Sequence, residues 1–333
     1  MTVFEAFRAA AASSTTVSYV PGSNETTGST DMIAAAVAAA KGTDVVVLCV
    51  GSGAQIEAEG RDRVALGLPA NQTALLDALR AGLKGSRTKL VILLFTAGGI
   101  PLEVQGTQEV QEAQEAGSTG GGEALVHVGY PGQETGSGMV DVLTGAVNPS
   151  ARMPLTVYPE TYLDQIGPIS DFDVSKGVGR TYRYLDGSKV EPVYRFGFGL
   201  SYTTFAYGGG GDGDATAEMG EEAKDSGLSL SATHGNITAK VKVTNTGKTA
   251  GAEVVQMYVT LPPQPGHEVV PISSLCAFEK VMLQPGEAAT VTLCCGGYAL
   301  MVVKDDGSRV AAVGKANIHV GGYVRVCVLR CCC

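Results

Sequence analysis

The hydrophobic positions follow two different rhythms along the chain. In the first half, three runs are apolar at nearly every position: VVVLCVG (Val45–Gly51), LVILLFTAGG (Leu90–Gly99) and ALVHVGY (Ala124–Tyr130). A strand without alternation buries both faces, as in a parallel sheet with helices on each side. The stretches between the runs suit helices. Asp31 stands where an N-cap belongs, ahead of the alanine-rich Met32–Lys41, and Asn71–Leu83 repeats its apolar residues at helical spacing. GYPGQETGSGMVDVL (Gly129–Leu143) reads as a glycine-rich turn and a helix, and NPSARMPLTVY (Asn148–Tyr158) as a turn and a strand that close the domain. In such a sheet the functional loops gather at the carboxyl ends of the strands.

From Leu228 the period changes to two. ITAKVKVTNTG, AEVVQMYVTLP, SSLCAFEKVML and QPGEAATVTL alternate inward and outward residues between turns, which predicts a β-sandwich of about 100 residues. Two polar tracts interrupt the pattern. Glu103–Gly122 reads as an exposed helical excursion with a flexible link, and the glycine and acidic stretch Tyr207–Gly227 as a linker.

With 333 residues, 44% of them hydrophobic and 17% charged, the chain has material for two ordinary domains with real cores. A net charge of −9 argues against nucleic acid as a partner, and no apolar run reaches the roughly 18 residues that cross a bilayer. A neutral small molecule fits better. The N-terminus has neither the basic start nor the long apolar core of a secretory signal, and the N-x-T sequons at Asn24, Asn71 and Asn236 carry little weight on their own. Cys49 falls in a core strand; the other cysteines are Cys276, Cys294, Cys295, Cys327 and the terminal Cys331–Cys333. No C-x-x-C pair occurs, so neither a metal nor another cofactor is expected.

Candidate chemistry follows the first strand, in QIEAEGRDRVALGLPANQ (Gln55–Gln72). Crowding of Glu57, Glu59 and Asp62 is expected to raise at least one carboxyl pKa, while Arg61 and Arg63 hold another ionised. A protonated and a charged carboxyl side by side suit glycoside hydrolysis. The same residues also suit a solvated, salt-bridged loop leading into a helix. Other chemistries lack their residues. GSG (Gly51–Gly53) has Ile56 where a dinucleotide loop needs its third glycine, and there is no nucleophile elbow, phosphate loop or H-E-x-x-H helix. His127, inside an apolar strand, reads as a core residue.

Five segments in fixed order then carry a resemblance: IEAEGRDR with LGLPANQ, GYPGQETG, DVLTGAVNPSARMPLTVYP, RTYRY and FGFGLSYTTF. The chain resembles family 3 glycoside hydrolases, especially their β-xylosidase-like branch. AFEKVMLQPGEAATVTL (Ala277–Leu293) is similar to the fibronectin type III-like domain that closes many of these enzymes. The resemblance implies an α/β sandwich domain followed by a fibronectin type III-like β-sandwich. It divides the chain into a link remnant (1–30), the α/β domain (31–206), a linker (207–227), the fibronectin-like domain (228–323) and an irregular cysteine-rich tail (324–333).

The resemblance further implies a retaining exo-acting β-glycosidase acting on a β-glycoside or oligosaccharide, in which this chain supplies the acid/base. Glu57 is the first match for that role and Glu59 the alternative, with Asp62 and Arg63 paired to order the loop. GYPGQ, with Tyr130 and Gln133, makes a substrate-side turn or a purely structural bend, and Arg180, Tyr182 and the FGFGLSYT segment act as scaffold. No residue matches the family's nucleophile. That residue belongs to a TIM-like barrel, which is expected as a missing partner in cis or in trans, so the isolated chain is expected to turn over glycosides weakly or not at all. Location is extracellular by family expectation. A stand-alone carbohydrate-binding or scaffold protein is the alternative, and the choice between xylose, glucose and arabinose stays open.

Overall fold

The computed structural model describes residues 1–24, 28–105, 122–166, 170–208, 228–233, 236–264, 270–304, 306–312, 314–321 and 324–330. These residues cluster into two compact units: residues 1–144 with 157–161, and residues 145–156 with 162–333.

The first unit holds the parallel sheet. Strands β1 (Val45–Gly51), β2 (Lys89–Phe95) and β3 (Glu123–His127) pair in that order, with β1 and β2 in register from Val45–Lys89 to Gly51–Phe95. Helix α2 (Ile33–Ala40) precedes β1, and helix α3 (Ala70–Leu83) makes the crossover to β2. One face of the sheet carries Leu48, Val50, Leu90, Ile92 and Leu94, which pack with Leu75, Leu76, Leu79 and Leu83 of α3 and with Ala40 of α2. Each large aliphatic side chain withdrawn from water this way contributes about 2 kcal/mol, so this face is the main source of the unit's stability. Helix α1 (Val3–Ala10) begins with a reciprocal capping box between Thr2 and Glu5 and packs on α4 (Thr135–Thr144), where Gly136 allows close approach to Ala6 and the backbone of Thr2.

Several expectations need correction here. The N-cap of α2 is Met32, without a side-chain bond, because Asp31 lies one residue too early, in the preceding turn. Cys49 is exposed on the face opposite the leucine layer. Asn148–Tyr158 forms no strand: beyond the two backbone bonds that Met153 exchanges with Gly197 and Phe198, Pro154 has no N–H to extend a ladder, and the other contacts come mainly from side chains. The polar tract from 106 to 121 and the linker from 209 to 227 lie outside the described residues.

The second unit is a β-sandwich. One sheet runs β13 (Val324–Arg330), β12 (Lys315–Val320), β7 (Gly251–Thr260), β8 (Ser274–Leu283). In the other, β6 (Asn236–Asn245) has β9 (Ala288–Cys295) on one edge and both β4 (Phe205–Tyr207) and β5 (Leu228–Thr233) on the other. Between β9 and β12, the short strands β10 (Met301–Val303) and β11 (Arg309–Ala311) form a separate hairpin. Strict alternation turns Ile237, Ala239, Val241 and Val243 of β6 inward against Val255, Met257 and Val259 of β7. Val324–Arg330, expected to be irregular, is the strand β13, paired antiparallel with β12; Cys331–Cys333 lie outside the described residues.

The described residues of 145–156, 162–166 and 170–208 pack with this sandwich. Asn148 Nδ2 donates to Ala250 O at 3.0 Å, and the Thr203 hydroxyl to Asn245 Oδ1 at 2.6 Å. Tyr182 stacks on Phe196 with ring centroids 4.1 Å apart, and both rings meet the edge of Tyr258. Arg152 is ion-paired with Glu253, a carboxylate 5% exposed that also accepts the Tyr207 hydroxyl at 2.6 Å. Burial and the adjacent Glu253 charge push the Tyr207 phenol well up, so it stays a donor. Glu253→Leu would strand the Arg152 charge and orphan the Tyr207 hydroxyl. Urea unfolding of this variant is expected to show a loss of about 3 kcal/mol in the β-sandwich transition, and a loss below about 0.5 kcal/mol would mean that the pair contributes little to the fold.

Candidate active site

Parallel pairing brings the carboxyl ends of β1, β2 and β3 to one edge of the sheet. Ser52 N donates to Phe95 O, and Val128 N to Leu94 O, both at 2.9 Å, which carries the ladder just past the strands. Gly51 sits at the crossing point with φ of +149°, and a Cβ there would lie 1.8 Å from Phe95 O. Gln72, buried at the start of α3, holds the same residue from the other side. Its Oε1 accepts Gly51 N at 2.7 Å, and its Nε2 donates to Gly51 O at 2.8 Å. A loop leaving the sheet at this point therefore has a fixed origin.

The loop folds back on itself. Ile56 and Glu57 donate their amides to Gly53 O, and Ala58 and Arg61 then exchange two backbone hydrogen bonds at 3.0 and 2.9 Å. The connection between them is Glu59–Gly60, where Gly60 takes φ of +73° at the second central position, a conformation that favours glycine. Glu59 thus stands exposed at the tip, with no hydrogen-bond or ion-pair partner among the described residues. Glu57, at the base, turns inward.

Glu57 gathers groups from all three strand ends. Its Oε1 accepts the Ser52 hydroxyl at 2.5 Å, the Ala97 amide at 3.3 Å and the Tyr130 hydroxyl at 3.2 Å, with the Thr96 hydroxyl at 3.5 Å. Its Oε2 pairs with Arg63 Nε at 2.9 Å. Arg63 extends the network by donating to Leu66 O at 3.1 Å and Gly99 O at 3.0 Å. Tyr130, although 57% exposed, also points its hydroxyl at Ser52 O at 2.6 Å, so its one proton is shared between that carbonyl and Glu57.

This arrangement reverses the expected electrostatics. Desolvation is the largest single influence on Glu57 and raises its pKa, but the Ser52 hydroxyl, the Arg63 charge, the Ala97 amide and Tyr130 together outweigh it and lower the value. Glu57 is therefore a charged anchor and not the protonated member of a like-charge pair. Arg63 orders the loop through Glu57, not through Asp62, which is exposed and makes no ion pair among the described residues. Gln133 has an exposed side chain outside this group. Ser52, Gln72, Thr96 and Ala97 also belong to this group; Gln72 closes the LGLPANQ segment and Ser52 lies within GSG, but neither reads as a site residue from the sequence, and Thr96 and Ala97 carry no signal beyond the apolar run that contains them. His127 lies next door on β3. Desolvation lowers its pKa, but its Nε2 is buried with no hydrogen-bond partner among the described residues and the residue is only half-buried, so it is not the satisfied core residue expected. Among the described residues, no group of three or more His, Cys, Asp or Glu is placed to hold a metal ion.

A lowered folded-state pKa gives stability that is present above the unfolded value, near 4.5, and lost as the pH falls through the folded value. Glu57→Gln should destabilise the first unit at pH 7 by about 1–3 kcal/mol. The difference from the parent, followed by urea unfolding at successive pH values, should hold down to about pH 5 and shrink below it. A difference independent of pH would show that the Glu57 charge is not what holds the loop.

Comparison with known proteins agrees with this architecture. Residues 1–202 match the glycosyl hydrolase family 3 C-terminal domain, and residues 253–323 match a fibronectin type III-like domain. The chain is 35% identical over 270 residues to a probable beta-glucosidase J of Neosartorya fischeri, covering 79% of this chain and 28% of that protein. It is 32% identical over 312 residues to a probable exo-1,4-beta-xylosidase of Aspergillus fumigatus, covering 91% of this chain and 37% of the relative. Among solved structures, a family 3 beta-glucosidase of Bifidobacterium adolescentis superposes with a TM-score of 0.73 at 27% identity, over 97% of this chain and 43% of that one. The chain thus spans about a third of the length of these curated relatives. With family profile, relatives and fold in agreement, the chain belongs to glycosyl hydrolase family 3, of which it carries the C-terminal domain followed by a fibronectin type III-like domain.

Proposed function

We propose that this chain supplies the acid/base carboxylate of a retaining, exo-acting β-glycosidase that removes xylosyl or glucosyl units from oligosaccharides outside the cell. Retention takes two carboxylates on opposite faces of the sugar, one attacking the anomeric carbon and one protonating the leaving oxygen and later activating water. The second carboxylate and most of the sugar pocket would come from a segment beyond these 333 residues.

The observation that carries the reading is the division of labour within one loop at the carboxyl edge of a parallel sheet. An acid/base must give up a proton and take one back in each turnover, so a carboxylate already engaged by Ser52, Arg63, Ala97 and Tyr130 is poorly placed for the task. Glu59, on a tight turn whose base is fixed by Glu57, presents a carboxyl to an incoming glycoside. This favours Glu59 as the acid/base and Glu57 as the residue that positions it, with Tyr130 bracing the loop from β3.

The test uses the full-length polypeptide that carries the nucleophile segment, on aryl β-xylosides and β-glucosides. Glu59→Gln should lower kcat/KM by about 10²–10⁴ for substrates with poor leaving groups, and added azide should restore turnover as the glycosyl azide. Glu57→Gln should mainly lower stability, without azide rescue. Rescue confined to the Glu57 variant would assign the acid/base to Glu57, and full activity in both variants would leave sugar binding without acid/base chemistry. The 333-residue chain assayed alone is expected to show weak or no hydrolysis.

A further inference from the structure

In the β-sandwich, β8 and β9 are neighbouring strands that belong to different sheets. Cys276 on β8 occupies an irregularity in the ladder: Ala277 pairs with Met257 and Leu275 with Tyr258, so no residue of β7 opposes Cys276. A bulge of this kind re-aims the extra side chain. Cys276 turns onto the hydrophobic core that contains Cys295, the last residue of β9, which is fully buried by the inward alternation Val291, Leu293, Cys295. Cys276 lies seven residues before Leu283, the end of β8, and Cys295 seven residues after Ala288, the start of β9, so the two occupy matching places along the connected strands. Cys276 also lines an open groove between the two strands, together with the exposed Cys294.

We propose that Cys276 and Cys295 form a disulfide tying the two sheets of the β-sandwich together when the protein meets a low-molecular-weight disulfide such as oxidised glutathione. Cys276, the thiol reached through the groove, loses its proton to solvent, a step that burial disfavours, and its sulfur attacks one glutathione sulfur; a mixed disulfide forms and one glutathione thiolate leaves. The Cys295 thiolate then attacks the Cys276 sulfur and expels the second glutathione. The two cysteines lose two electrons and two protons, and one oxidised glutathione becomes two glutathione thiols. The closed loop runs from Cys276 to Cys295 and contains the turn between β8 and β9. This reading stands apart from the acid/base assignment and uses no residue of that site.

The full 333-residue chain is incubated with oxidised glutathione, its remaining thiols are alkylated, and tryptic peptides are analysed by mass spectrometry. The expected product joins the Cys276 peptide to the peptide carrying Cys294 and Cys295, lighter by two hydrogens, and reduction separates them. The link should survive Cys294→Ser and vanish in Cys276→Ser. If Cys295→Ala folds poorly, the Cys294→Ser result alone locates the second sulfur. The melting temperature of the β-sandwich should rise by roughly 5–10 °C on oxidation, with no rise in Cys276→Ser. The proposal is overturned if both peptides are recovered alkylated, if Cys276 is joined to Cys294, if glutathione stays on Cys276, or if the link forms only in denaturant.

Discussion

The candidate site depends on a single carboxylate. Glu57 is the point at which three strand ends and a returning loop become one object, because each contributes a donor to its two oxygens. Hydrogen bonds to an ionised acceptor are stronger and shorter than neutral ones. Here they are also partly shielded, with the Glu57 and Arg63 side chains only 17% and 15% exposed. Arg63 extends the network by donating to two backbone carbonyls, Leu66 O and Gly99 O. The Gln72 clamp on Gly51 completes the frame from the helix side. Without the carboxylate, Ser52, Ala97 and Arg63 would keep their positions only by competing with water.

The β-sandwich shows a related logic with a different outcome. Glu253 is as deeply placed as a core aliphatic, yet it bonds Arg152 and Tyr207 from segments far apart in the chain. A buried charge is costly unless its partners are fixed. It therefore selects the one docking of residues 145–156 against β7 that satisfies it. Apolar packing alone would tolerate several.

Regular structure was legible because its periodicity was clean. The three apolar runs gave β1, β2 and β3 with small shifts at their ends, and the alternation after Leu228 gave β6 to β9. What failed had physical causes. Asn148–Tyr158 has strand-forming residues, but its side chains bond the sandwich while Pro154 withholds a backbone donor. VRVCVLR alternates well enough for β13, though its place next to the terminal cysteines obscured it. At the site, the charge cluster was visible but the sign of the Glu57 shift was not. Sequence neighbours suggested repulsion from Glu59 and Asp62, whereas the turn at Gly60 sends Glu59 outward. The largest lowering influences, the Ser52 hydroxyl and the Arg63 charge, are local, but which way they face depends on the fold, and the further donors Ala97 and Tyr130 lie 40 and 73 residues away.

The docking of residues 145–156, 162–166 and 170–208 on the β-sandwich bears on how such a protein can be divided. The family 3 profile runs to residue 202, but the division between the compact units falls earlier, between residues 144 and 162, where the chain passes to the second unit, returns for residues 157–161 and leaves again. Deleting the fibronectin-like part would leave Tyr182, Phe196 and Thr203 facing water and strip Arg152 of its counter-charge. In domain exchange between relatives, the sandwich and this collar should therefore travel as one cassette.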